Sequence, residues 1–398
     1  MLNIYNVFKF EKLINVIVFT LSISIFSGLF LYIPTDLQVH VEQIIKINLD
    51  EATYPPNFLY YFLVNLFSGF SKNAVVISII AICLLSCAVT AKYIITKKIL
   101  VEISLETSNY INKKLINLLA FILIFSFAIP DIFNLFFLKA LYLTRFVPNV
   151  WHNSTTIFLF PFALLLFWQQ FKILKRGATP TFKEIFYITV IIVINALIKP
   201  SFLFVLIPVT GMWIILKYEF KNFRKMFLFS LPLVIGLLLI GIFTLSIYFF
   251  QTGSFQNEHS SIIVSGFFEG LRNWIPSWYI PISLFISFIL PLFVLITFKR
   301  SLLVHKPFLF ALCLTVTGLL ISALLIETGP RSSHGNFMWQ NVICCYLLLL
   351  ATISYLIPRW NKMKRKFKTL LGIKILLLGY FLSGIIYFIK TFITGSYY

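Results

Sequence analysis

Acidic residues are scarce in this chain. Thirteen Asp and Glu stand against 33 Lys and Arg in 398 residues, and the four charged types together make up only 12%. A water-soluble globular chain carries about 25% charged residues, so an ordinary soluble domain is excluded. Cysteine is scarce too. Cys83, Cys87, Cys313, Cys344 and Cys345 all lie inside apolar segments, with no CxxC pair and no Cys/His metal spacing. That sets aside zinc-finger and dithiol chemistry and leaves small buried hydrophobes. The connections between apolar segments hold no glycine-rich phosphate motif, no Walker sequence and no acidic pair of the kind that binds nucleotide sugars. No internal repeat or low-complexity domain stands out.

What the chain has is apolar length. Hydrophobic residues make up 60% of it. Apolar runs recur near 13–33, 74–96, 115–129, 154–171, 184–198, 201–216, 227–250, 279–298, 308–326, 337–357 and 372–393, about eleven segments suited to a hydrocarbon core of roughly 30 Å. The expected fold is all-α, a polytopic transmembrane helical bundle forming one domain over 1–398. Lys9 and Lys12 precede Leu13–Tyr32 without a short apolar core or a small-residue cleavage site, so the first segment reads as an uncleaved span.

The net charge of +20 does not point to nucleic acid. The basic residues sit in short stretches between apolar segments, which is the topology signal of membrane proteins. With the N-terminus in the cytoplasm, Lys97-Lys98, Lys113-Lys114, Lys172–Lys183, Lys217–Lys225, Lys299–Lys306 and Arg359–Lys368 all fall on the cytoplasmic side. The outer connections are then close to neutral. Asn57–Phe70 is apolar but only about 14 residues long, which suits a surface or buried helix better than a span. The first outer loop, 34–73, is therefore expected to carry surface helices. The Lys362–Lys368 run reads as an orientation anchor rather than a lipid site. The expectation is a multi-pass protein of the cell membrane with its site outside the cytoplasm.

The outer connections hold nearly all the unusual residues. Asp36 follows Thr35, a helix N-cap type, and precedes His40 by four, so the two share one helical face. Asp36 at the membrane boundary is a candidate general base, raised in pKa by partial desolvation, and His40 is its catalytic companion. Glu42 lies close by as a substrate-binding candidate. The second outer connection, 130–155, holds Asp131, Lys139, Arg145 and Trp151-His152-Asn153, where an indole could cover a sugar while His and Asn bond its hydroxyls. An interfacial aromatic anchor is the competing reading of Trp151. Lys199-Pro200 marks a tight outer turn whose cation could meet a lipid phosphate, or simply snorkel. The late outer loop, 251–278, carries Glu258-His259, Glu269, Arg272, Trp274 and Trp278 and reads as a lid or acceptor side. Glu327, Arg331, His334 and Asn336 cluster around Gly329, Pro330 and Gly335. Arg331 is of the type that binds phosphate in bidentate fashion, with an ion pair to Glu327 as the structural alternative.

The arrangement of a first span, Asp36 with His40, then Tyr54-Pro55-Pro56 leading into an apolar surface helix and a second span, resembles the GT-C superfamily of integral-membrane glycosyltransferases. Where many relatives carry a doubled acid, Asp36 here stands with His40 and Glu42. The chain is also similar to membrane proteins of bacterial surface-polysaccharide clusters. The resemblance implies transfer of a sugar from a polyprenyl-phosphate-linked donor to a glycan or lipid-linked acceptor on the extracytoplasmic face. It assigns Asp36 as base and Arg331, His334 and Lys199 as candidates for the leaving phosphate. No cofactor and no structural metal are expected. Two alternatives are a repeat-unit polymerase or ligase, which would rely on Arg145, Arg272 and Arg331, and a lipid-linked glycan transporter or flippase, which would favour mid-span charges and broken helices.

Overall fold

The computed structural model describes residues 2–107, 112–130, 146–218, 222–250, 260–272 and 275–396, with side chains from residue 12 onwards except at 107 and 333. It is nearly all-α. Among the described residues, eight helices are long and apolar enough to cross a membrane, and a ninth candidate is a bent pair. These are α1 (Leu2–Tyr32), α4 (Ala74–Thr107), α6 (Ser154–Arg176), α8 (Leu203–Tyr218), α9 (Phe223–Tyr248), α14 (Lys306–Leu324), α15 (Trp339–Leu356) and α17 (Phe367–Thr394), with α11 (Ile280–Ser287) and α12 (Ile289–Phe298) as the pair, bent by 65°. The other two segments expected to span form shorter helices, α5 (Lys113–Phe125) and α7 (Phe182–Ile198), of 13 and 17 residues.

The first loop folds as two helices, α2 (Asp36–Asn48) and α3 (Leu59–Phe67). Asn48 and Asn65 exchange side-chain amide bonds of 2.8 and 2.7 Å and so tie α2 to α3. Asn57 donates to the carbonyl of Ile198 at 3.2 Å, which fastens the same loop to the end of α7. The late loop contributes a three-residue strand, β1 (Ile262–Val264), paired antiparallel with β2 (Leu325–Glu327), and a short helix, α10 (Glu269–Arg272). Two more short helices, α13 (Arg300–Leu303) and α16 (Trp360–Met363), lie at the far end of the bundle.

The bundle is organised around α15, whose residues from Gln340 to Leu356 are all buried. A helix that is apolar all round has no solvent face to present, so it belongs in the interior. α14 lies against it, and α4 packs along α1 and α6. α5 stops at Phe125 because its next residues are used elsewhere. Phe127 donates its N–H to the carbonyl of Tyr380 at 3.0 Å, and Ser383 donates to the carbonyl of Ala128. Extended backbone at this depth is viable only when other protein groups satisfy it. Gly384 makes the approach possible. A Cβ there would stand 1.8 Å from the carbonyl oxygen of Phe125.

Charge separates the two ends. Lys172 and Trp168 hold Glu102, Lys175 holds Glu106 and Arg176 holds Glu184, so the last turns of α4 and α6 meet the first turn of α7. Lys217, from the end of α8, reaches the carbonyl of Leu174. The opposite end gathers the close of α1 and α7 and the start of α6 and α15, and there the candidate site lies.

Candidate functional site

Asp36 is placed by a capping box. Thr35 Oγ1 accepts from the N–H of Leu37 at 3.3 Å, and Gln38 Oε1 accepts from the N–H of Thr35 at 2.8 Å. The amide of Gln38 also donates to the carbonyls of Phe30 and Ile33 at 2.8 and 2.7 Å. The start of α2 is thereby fixed to the end of α1, and Asp36 is the first helical residue. Carboxylates are favoured there, where the amide dipoles point outward.

Asn153 is likewise placed by a helix end. Its Oδ1 accepts from the N–H of Thr156 at 3.0 Å and caps α6. That bond fixes which way the amide faces. The Nδ2 end is turned to Asp36 Oδ2 at 2.5 Å. The Oδ1 end also accepts from Lys199 Nζ at 3.0 Å. Asn153 is buried, so its amide stands as a fixed bridge between a carboxylate and an ammonium contributed by helices far apart in sequence.

Lys199 lies in the turn between α7 and a 3₁₀ turn at Pro200–Phe202. Its Nζ stands 4.6 Å from the ring centroid of Trp339, at the start of α15. The edge of His152 meets the same indole, with centroids 5.8 Å apart. Trp339 Nε1 donates to the carbonyl of His334 at 3.2 Å, which brings the 329–338 turn to the site. His40 lies one turn along α2 from Asp36 with its ring edge against Tyr61, centroids 5.0 Å apart, and against Tyr60. Among the described residues, its buried Nε2 has no hydrogen-bond partner.

Burial sets the electrostatics. Desolvation lifts the Asp36 carboxyl above its ordinary range, against the opposing pull of Lys199, the Asn153 bond and His334. Burial lowers Lys199 to about 7, with Asp36 pulling the other way. Burial, and then the charge of Lys199, hold His40 down at about 3 and His152 at about 4. Both imidazoles are therefore neutral near pH 7. The site thus offers a carboxylate of enhanced basicity, a cation that gives up its proton near neutrality and two neutral rings.

Asp36, His40, His152, Asn153, Lys199 and His334 come together here. Trp151, proposed above as a sugar platform, does not join them. It is buried among Phe26, Phe125 and Phe388, at centroid distances of 5.4, 5.7 and 5.2 Å. Stacked on Phe125 and edged by Phe388, it serves as core, because α5 unwinds beside it. Glu42 is exposed on α2, and its side chain points away from the buried face formed by Leu37, Val41 and Ile44. Arg331 donates through Nε to Glu327 at 2.9 Å, Asn336 donates to the other carboxylate oxygen at 2.6 Å, and Tyr248 donates to the first. Glu327 and Arg331 are both buried. This network ties the end of α9 to the late strand pair, so Arg331 and Asn336 act as anchors of the turn that carries His334. Asp131, Lys139, Arg145, Glu258, His259 and Trp274 lie outside the described residues.

Sequence reasoning missed Trp339 and Tyr61. A tryptophan at a span's outer end is the ordinary aromatic-belt signal, and nothing local tells that it will cover a lysine 140 residues earlier in the chain. Tyr61 is pushed up in pKa by burial, then by Tyr60 and Asp36, and its ring packs against His40. Among the described residues, no three His, Cys, Asp or Glu side chains gather closely enough to hold a metal ion. No protein-family model matches the chain, and no curated protein matches it.

Proposed function

We propose that the chain is a membrane glycosyltransferase that moves a sugar from a polyprenyl-phosphate-linked donor to a glycan or lipid-linked acceptor at the Asp36 end of the bundle. The observation that carries this reading is the Asp36–Asn153–Lys199 bridge. A base of raised pKa and a cation stand one amide apart, as transfer from a phosphate-linked donor requires. Asp36 takes the proton of the acceptor hydroxyl as its oxygen bonds the anomeric carbon. The bond from that carbon to the phosphate oxygen breaks, and its electron pair leaves with the lipid phosphate. Lys199 and His334 meet the developing negative charge there. Asn153 holds the carboxylate oriented, and His40 and Tyr61 wall it from water. Because the phosphate is already the leaving group, no nucleotide-binding fold is needed. In the cell, this end faces outward and the Lys/Arg-rich end faces the cytoplasm, with α2 and α3 on the outer surface as in the GT-C arrangement.

The test is sugar transfer from a purified polyprenyl-phosphate hexose by Asp36→Asn at matched protein level. Asn keeps the size, its Oδ1 can still accept from Asn153, and Thr35 keeps the cap, so a structural role survives the change. It cannot accept the proton, and loss of general-base catalysis costs about 10²–10⁴-fold in rate. Unchanged transfer by a folded Asp36→Asn protein would falsify the assignment.

A second reading draws support from a different observation. Lys92 is buried within α4, its Nζ 2.5 Å from Asn149 Oδ1 and 3.3 Å from the centroid of Phe160. Together with the break after α5 and the bend between α11 and α12, it has the features of a transporter of lipid-linked glycans. Proteoliposome flux of a fluorescent lipid-linked glycan that persists in Asp36→Asn while no transfer is detectable in any variant favours that reading. The polymerase or ligase reading loses Arg331 to the ion pair with Glu327.

A further inference from the structure

At the Lys/Arg-rich end, opposite the Asp36 site, a cleft of about 340 Å³ opens between two elbows of the chain. One elbow is the turn from α12 into α13, which contributes Phe298 and Ser301. The other follows α15 and contributes Tyr355, Arg359, Lys362 and Lys366. The guanidinium of Arg359 is pre-oriented. It lies 3.8 Å from the centroid of the Tyr355 ring, and its Nη1 donates to the Tyr355 carbonyl at 2.9 Å. The Tyr355 hydroxyl is bonded in turn to Ser301. An arginine held this way loses little freedom when it binds an oxyanion, and most of its five donors remain for the task.

The charge around this cleft is not balanced from within. No Asp or Glu occurs between Lys299 and Lys306 or anywhere after Glu327. The described acids at this end of the bundle, Glu102, Glu106 and Glu184, are held by Lys172, Lys175 and Arg176. Three cations therefore face a common space with no carboxylate among the described residues to relieve their repulsion. Next to the cleft's lining residues, Ile296 and Phe367 are 68% and 70% exposed. A polar, cationic hollow with an apolar border at the end of membrane-length helices matches a phosphodiester with acyl chains beside it.

We propose that this cleft binds the phosphate headgroup of an anionic phospholipid. The surface run of lysines would by itself only attract such a membrane. The cleft adds a fixed guanidinium and the Ser301–Tyr355 hydroxyl pair, which keeps one O–H to donate to the phosphate.

The experiment uses the full chain purified in neutral detergent and titrated in native mass spectrometry with phosphatidylglycerol, phosphatidylcholine or inorganic phosphate. Retention of phosphatidylglycerol and not phosphatidylcholine is expected. The Lys362→Gln/Lys366→Gln pair, both exposed residues, should lower phosphatidylglycerol affinity about thirtyfold, since each lysine near an anionic headgroup contributes roughly fivefold. The Lys364→Gln/Arg365→Gln pair removes the same charge outside the cleft and should lower it less than about fivefold. Melting temperatures of both pairs verify folding. Equal losses from the two pairs overturn the site in favour of diffuse surface charge. Binding of inorganic phosphate in the cleft without phosphatidylglycerol binding overturns the lipid as its source.

Discussion

In the proposed transfer, Lys199 and Asp36 make opposite demands on pH. Asp36 must be deprotonated to act as base, and its carboxyl is raised by burial, so transfer increases as pH climbs through a value above the ordinary carboxylate range. Lys199 must be charged to meet the leaving phosphate, and it loses its proton at about 7, so transfer declines as pH rises past neutrality. The expected kcat/KM profile is a bell with its optimum on the acid side of 7. In Lys199→Arg the guanidinium stays charged throughout, and the falling limb should disappear. A profile that still falls near 7 in that variant returns the limb to another group. Arg331 carries a different expectation. Removing one partner of a buried ion pair costs about 3–5 kcal/mol, so Arg331→Ala should unfold at a distinctly lower temperature. The Glu327→Gln/Arg331→Met pair should recover more than half of that loss, because no buried charge is then left unmatched. Several of these residues were legible in the sequence. Thr35 before Asp36 announced a cap, and the polar residues at 152–153 and 199 were conspicuous among apolar neighbours. Their meeting was not legible, because it depends on which helix ends share one end of the bundle. Trp151 was misjudged for a related reason: a tryptophan beside polar residues has the same local pattern whether its ring faces outward or inward.

At the scale of elements, the long apolar helices were readable from length alone, and the lysines at their ends marked the turns. The two short segments were not. α7 is short because Lys199 and Pro200 end it at the site. α5 is short because the backbone after Phe125 bonds α17 instead of itself; Pro130 disfavours helix at Ile129, but nothing in residues 126–129 dictates the earlier stop at Phe125. Gly384 is the contact that permits it. Alanine at that position would set a methyl 1.8 Å from a carbonyl oxygen, which only backbone movement can relieve. Overpacking of this kind costs about 1–3 kcal/mol, occasionally more, so Gly384→Ala should lower the melting temperature of the purified protein. It should also reduce transfer, because Asn149, in the loop that leads to Asn153, donates to the carbonyls of Leu123 and Ser126 at 2.9 and 2.6 Å. A Gly384→Ala protein with unaltered melting would show that the helices are not held at this separation.

For the whole molecule, the sequence concentrates basic residues in alternate connections, and the structure gathers Lys172, Lys175, Arg176 and Lys217 at the end opposite Asp36. The proposed orientation in the cell predicts that single cysteines replacing Lys175 or Lys364 are silent to an impermeant maleimide in intact cells and react after permeabilisation. A cysteine at exposed Glu51 should react in intact cells. Labelling of Lys175→Cys from outside would invert the assignment and place the Asp36 site in the cytoplasm.

The pairing of residues 126–130 with α17 also bears on how the chain is made. Ala128 and Ser383 are 255 positions apart. At a synthesis rate of about 5–20 residues per second, the partner emerges roughly 10–50 s after the segment that needs it. During that interval, the N–H of Phe127 and the carbonyl of Ala128 have no α17 to bond, and the loop that leads to Asn153 lacks its final support. Insertion of the late helix is therefore a maturation step. Until α17 is in place, the end of the bundle that carries Asp36 lacks this support.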